Sequence, residues 1–154
     1  MTGITSTTDI TTNSFRTIYT VISGNVSDIT SRGGSAWIFS SFPSIQEGKN
    51  DEFPGYPIIT IETPELSLIK NSGHGNIKKA TLSTMIDIHC QKKVQIGSLT
   101  SSVVKALDDR RNDFIGSGMH NMHISSGGVD TQMFARNQKV HTQSVGVTWE
   151  SVVV

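Results

Sequence analysis

The apolar positions of this chain change period along its length. Phe15, Ile18, Tyr19 and Ile22 fall at i, i+3, i+4 and i+7, which predicts a helix from Thr8 or Asp9 to about Ile22, ended at Gly24. A Ser/Gly-rich connection with Gly33 and Gly34 follows. Residues 36–42 (AWIFSSF) predict a short aromatic strand stopped by Pro43. Residues 43–56 read as a loop. Residues 57–63 (PIITIET) are β-branched and predict a strand ended by Pro64. Leu66 to Ile69 either extends that strand or begins its neighbour, and residues 70–79 form a polar, Gly-containing excursion.

Residues 81–91 alternate with period two. Leu82, Thr84, Ile86, Ile88 and Cys90 point one way, and Ser83, Met85, Asp87 and His89 the other. The period then returns to that of a helix. Ile96, Leu99, Val103, Ala106 and Leu107 predict one helix over about 94–114, with Asp108, Asp109, Arg110, Arg111 and Asp113 at a solvated end and Gly116 and Gly118 stopping it. Two closing strands are expected, at 119–125 and about 140–153. Between them Gly127, Gly128 and Asp130 interrupt the pattern. Strands cluster on both sides of one helix instead of alternating with helices. The expected class is therefore α+β, with a mostly antiparallel sheet and two main helices packed on one face, in the order helix, strands, helix, strands. Residues 1–8 are expected to be a mobile arm and 9–154 one domain.

Composition narrows the function classes. At 154 residues the chain matches one domain that buries roughly two-thirds of its unfolded surface. The apolar fraction of 35% is low for a compact enzyme and fits a thin domain with much loop, or a subunit stabilised partly by neighbours. A formal net charge of zero removes long-range attraction to nucleic acid or an anionic membrane. Cys90 is the only cysteine, so no intrachain disulfide can form. No stretch approaches the roughly 20 apolar residues of a membrane span. The N-terminus lacks the basic and apolar regions of a signal peptide, so the chain is expected to be made and kept in the cytoplasm or released by lysis.

Candidate chemistry is sparse. His120 and His123 are three apart on a predicted strand, which would turn them to opposite faces and away from a shared metal. Ser102 and Lys105 match S-x-x-K, but so do Ser67 and Lys70, and the companion elements are missing. The Gly73–Lys78 phrase precedes a strand, so it reads as a hairpin loop rather than a phosphate loop. Cys90 lies on the apolar side of its strand and reads as a buried, inert thiol. No pair of carboxylates converges, and no cofactor is expected.

Charge is segregated. In residues 44–65, Glu47, Asp51, Glu52, Glu62 and Glu65 against Lys49 leave −4. In residues 66–93, Lys70, Lys78, Lys79, Lys92 and Lys93 against Asp87 leave +4. Opposed segments can pair copies head-to-tail, or neutralise each other within one subunit.

Five phrases in order carry a resemblance: WIFSSF, YPIITIETPEL, KKATLSTMIDIHC, IGSLTSSVVKALDD and TWESVVV. Over roughly residues 8–154 this order and length resemble the tail-terminator or tail-completion proteins of tailed bacteriophages, with Tyr56 to Ile61 the most recognisable piece. The resemblance implies a structural virion protein, not an enzyme. It implies a homo-oligomeric ring, commonly a hexamer, that caps the tail tube, stops its polymerisation and joins the tail to the head connector or adaptor. The tail tube protein is an implied partner and a sheath protein a further one; DNA is passing cargo, and no membrane is involved. Assembly would take place in the host cytoplasm. Under this reading Lys70, His74, Lys78 and Lys79 are candidates for the lumen or a neighbouring subunit, and Glu47, Asp51 and Glu52 for an acidic interface. The alternatives are a head-completion adaptor, a small metal-dependent hydrolase using His120, His123 or His141, and a generic ligand-binding module.

Overall fold

The computed structural model describes residues 7–30, 32, 36–43, 55–71, 78–134 and 138–153. Helix α1 (Thr7–Asn25) leads to strands β1 (Ile38–Phe39), β2 (Ile58–Ile61), β3 (Glu65–Asn71) and β4 (Lys78–Cys90). Helices α2 (Lys93–Asp109) and α3 (Arg111–Gly116) follow, and β5 (His120–Phe134) and β6 (Gln138–Val153) close the chain. The strands form a six-stranded sheet in the order β1-β2-β4-β6-β5, with β3 also on β4. All pairs are antiparallel except β1 with β2. The class is thus α+β with a mostly antiparallel sheet. The expected order is met only coarsely, because the middle block holds two helices and the β1–β2 pair makes the sheet mixed.

β4 is the axis of the fold. Its whole length pairs with β6, from Lys78 opposite Val153 to Cys90 opposite His141. On its other side β2 pairs with residues 86–89 and β3 with residues 78–83. β2 and β3 therefore lie end to end along one edge of β4, which answers the question left open at Leu66. The polar excursion is flanked by strand pairing: Lys70 lies opposite Lys79 and Asn71 opposite Lys78.

The period-two pattern of β4 becomes a sidedness. Ala80, Leu82, Thr84, Ile86, Ile88 and Cys90 are all buried, and the residues between them are half-buried or exposed. β6 places Val145, Val147 and Trp149 on the same side. α2 covers this face with Ile96, Leu99, Val103, Ala106 and Leu107, packing on both β4 and β6. α1 packs against α2 and adds Ile10, Ile18 and Ile22 to the one continuous core.

Five features differ from the sequence reading. The single helix predicted over 94–114 is broken at Arg110, whose ψ of 23° is not helical, and α3 turns Phe114 into the core. The apolar stripe of α1 is rotated: Ile10, Ser14 and Ile18 face inward, while Tyr19 is exposed and stacks on Phe15 with ring centres 6.3 Å apart. Strand β5 runs through Gly127 and Gly128 to Phe134, where the sequence predicts an end near residue 125. The aromatic strand shrinks to two residues, and the helix begins at Thr7, inside the expected arm.

Candidate functional site: the open face and free edge of the sheet

Helices cover one side of β4 and β6. The opposite side carries Lys79, Thr81, Ser83, Met85, Asp87 and His89 from β4, level with Val152, Glu150, Thr148, Gly146, Ser144 and Thr142 from β6. These residues are half-buried or exposed. The face is flat and rich in small polar groups because period two puts every second residue of two long strands there.

One end of this face is basic. Lys70 and Lys79 face each other across β3 and β4 on this face, and Lys78, next to Lys79 in β4, belongs to the alternate set; all three are exposed. Lys79 Nζ reaches Glu150 Oε2 at 3.5 Å. Asn121 Nδ2 donates to the same oxygen at 3.0 Å. That hydrogen bond first, and then the charge of Lys79, hold the Glu150 carboxyl below its usual range, with Lys70 adding a smaller pull. Part of the basic segment is thus neutralised inside the subunit, by a β6 carboxylate rather than by the acidic segment. An exposed pair of this kind is screened by solvent and adds little to stability. His74, Glu47, Asp51 and Glu52 lie outside the described residues.

The other end carries a cross-strand polar node. His89 Nε2 lies 3.2 Å from Thr60 Oγ1 on β2, and Nδ1 lies 2.9 Å from Thr142 Oγ1 on β6. One imidazole therefore ties three strands together. Phe42 meets its ring edge-on at 5.0 Å. Burial lowers the His89 pKa from 6.5, against the opposing charge of Asp87. Beside it Ser144 Oγ donates to Asp87 Oδ1 at 2.5 Å. Arg32 fastens the connection before β2: it pairs with Asp28 at 2.6 Å and donates to the Gly55 and Pro57 carbonyls at 2.9 and 2.7 Å. The alternation in the sequence already put His89 in the outward set. Its partners come from positions 29 and 53 residues away, which no local pattern could supply.

His120 and His123 need a correction. The register shifts between them, so His120 lies opposite Glu150 and His123 opposite Thr148. Glu150 and Thr148 share a face, hence the two histidines do as well. The extra residue of a β-bulge, with Asn121 at φ 51°, reverses the simple count of three. Among the described residues no group of three His, Cys, Asp or Glu is placed to hold a metal ion. His141 stands apart from both, its Nδ1 2.8 Å from Thr131 Oγ1.

The remaining candidates are engaged elsewhere. Ser102 Oγ donates to the Ser98 carbonyl and Lys105 pairs with Asp109, so the lysine is not placed as a base for the serine. Ser67 Oγ donates to the Thr81 carbonyl. Cys90 is fully buried, and burial pushes its thiol up to about 11. A thiol held protonated in this way is a poor nucleophile.

The sheet also has a free edge. β5 is the last strand on its side, and among the described residues no strand pairs with its outer edge. Every residue from 125 to 133 is exposed, on both faces. Val129 is 41% exposed and Met133 60%. Asp130 is the one carboxylate of this strand, and the strand contains no Lys, Arg or Pro. Natural edges are blunted by such residues and by β-bulges; the register shifts of β5 both lie before Val129, so residues 129–134 are the regular stretch left as a template for another strand. Beside β5, a cleft of about 780 Å³ opens under α2, lined by Gly97, Ser101, Val104, Ile124 and Ser126. The sequence hid this edge because Gly127 and Gly128 read as a break. No helix among the described residues is long and apolar enough to cross a membrane. No protein-family model matches the chain, and no curated protein sequence matches it.

Proposed function

We propose that this chain is a structural subunit of a phage tail: a tail-terminator or tail-completion protein that assembles with itself into a ring, commonly a hexamer. The observation that supports this reading best is the free edge of β5, exposed on both faces at one side of the sheet. An edge of that length gains from a partner, and a subunit that joins by one surface to a different surface of the next copy builds a ring when the rotation closes. The order of sequence phrases that resembles this family supplies the biological setting. In it the ring caps the tail tube, ends its growth, and presents a surface to the head connector or adaptor, while DNA passes through the lumen. The basic end of the sheet, Lys70, Lys78 and Lys79, is the part offered to the lumen or to a neighbouring subunit. A ring of this kind works by shape and symmetry and sits in the virion tail or neck.

Native mass spectrometry and negative-stain images of the purified protein, alone and with tail tubes, test the reading. Rings that bind tube ends are the expected result. A strict monomer that ignores tubes sinks the proposal. Rings that bind a portal-side complex and not tubes would move the protein to the head-completion adaptors. Stoichiometric zinc or manganese in the purified protein would instead favour a metal-dependent hydrolase.

A further inference from the structure

Among the described residues, two of the free sheet edges complement each other. One is the distal part of β5, residues 129–134, which pairs with β6 without a register shift. The other is the outer side of β3. Because β2 and β3 lie end to end along β4 and β1 lies outside β2, the lane beside β3 is open along β3 and stopped by β1. Among the described residues no strand occupies it. It takes a short strand, and β3 has seven residues.

The direction of the strands agrees. β3 runs antiparallel to β4, β4 to β6, and β6 to β5. β3 and β5 therefore run oppositely in the same sheet. Two copies in the same orientation, edge to edge, bring β5 of one antiparallel to β3 of the next, with both helix layers on one side.

The side chains agree as well. Lys70 lies opposite Lys79, and Asp130 opposite Thr142, which lies opposite His89. Lys79 and His89 are both on the open face, so Lys70 and Asp130 are on the open face too. Both are exposed; Asp130 accepts a hydrogen bond from Gln132 at 3.2 Å, and Lys70 adds to the field on Glu150. Ile69 lies opposite the core residue Ala80, and Val129 opposite Gln143, which pairs with the core residue Ile88. Ile69 and Val129 are thus both on the helix side, and so is Met133, four residues further on. All three are more than 40% exposed. With Asp130 opposite Lys70, antiparallel pairing sets Ile69 opposite Thr131, diagonal to both Val129 and Met133. Opposite charges face each other on one side, and three exposed apolar side chains meet on the other. Cross-strand and diagonal pairs of these kinds are the contacts that stabilise sheets.

We propose that residues 129–133 of β5 add as an antiparallel strand to the outer edge of β3 in a second copy of this chain, with Asp130 against Lys70. The proposal rests on the self-assembly part of the function above and names the surfaces that would carry it. The pairing is head-to-tail, since each copy offers one β5 edge and one β3 edge. Lys70 is level with Lys79 and Asp130 with His89, so neighbouring copies are also offset along the strands; the pairing makes a ring where tilt of the subunits closes that step, and a helical filament where it does not.

The charge pair gives a direct test. The full-length chain and the variants D130K, K70E and D130K/K70E are compared by native mass spectrometry and sedimentation over a range of concentrations. Circular dichroism melts check that each folds, as expected for exposed edge positions. Each single variant should run as a monomer where the parent chain assembles. The double variant should assemble again. An equimolar mixture of the two single variants should also assemble, because the lysine introduced on β5 of one meets the glutamate introduced on β3 of the other. Assembly of both single variants at the parent's concentration overturns the strand pairing and leaves the ring reading standing. Failure of the double variant and of the mixture overturns it equally. A parent chain that stays monomeric at every concentration overturns the strand pairing, and one that also ignores tail tubes overturns the ring reading.

Discussion

β4 and β5 belong to one sheet and have 13 and 15 residues, yet they live in different surroundings. β4 has a strand on each side and helices over one face, so every even-numbered residue from 80 to 90 is buried. Among the described residues β5 has a strand on one side only, and beyond Ile124 its residues up to 133 are exposed on both faces. The same backbone geometry thus yields a structural axis in one place and an unfinished edge in the other. Burial is decided by what packs on a strand, and the strand's own conformation does not supply it. Stability should be concentrated around β4, and assembly around β5.

Substitutions can break or sharpen that contrast. Trp149, level with Leu82 and 1% exposed, should show the largest effect: Trp149→Ala is expected to cost about 3–5 kcal/mol in urea unfolding. Its indole Nε1 has no hydrogen-bond partner among the described residues, so Trp149→Phe should cost clearly less. Ile86→Val, a single methyl in the middle of β4, should cost about 0.5–1.5 kcal/mol. At the free edge, Val129→Ser and Met133→Ser should change the stability of the isolated subunit by no more than about 0.5 kcal/mol. A loss above about 2 kcal/mol there would mean that β5 is packed and the contrast is false.

The His89 node should make stability depend on pH. Its folded pKa lies below 6.5, so the unfolded chain takes up the proton first on acidification. Stability is therefore complete above about pH 6.5 and is lost as pH falls from there through the folded value. His89→Gln should flatten that part of the melting-temperature profile; an unchanged slope would remove His89 as its source. The smallest effect is kinetic. Cys90, with its thiol pushed up to about 11 and no exposure, should resist a thiol reagent at about pH 8 in the folded protein and react once unfolded.

Much of this was legible in residue order. The alternation from Leu82 to Cys90 specified β4 and its buried face, and the 3.6-residue spacing from Ile96 to Leu107 specified α2 and the stripe it buries. Both patterns are long, and period is a local property that side chains express wherever the chain folds. The lysines at 70, 78 and 79 were visible as a group, and the strand pairing brings them together.

What the order of residues left undecided depends on contacts between distant segments. Gly127 and Gly128 read as a break but form strand, because the ladder to β6 carries the chain on either side of them. The bulge at Asn121 puts His120 and His123 on one face, a result that counting residues reverses. Tyr19 fits the helical stripe of α1 and yet is exposed, since only the position of α2 and the sheet says which side of α1 is the inside. Periodicity, the sequence by itself, determined which segments become strands and helices at the centre of the protein. Tertiary structure alone decided where the sheet ends, because an edge is defined by the neighbour that is missing.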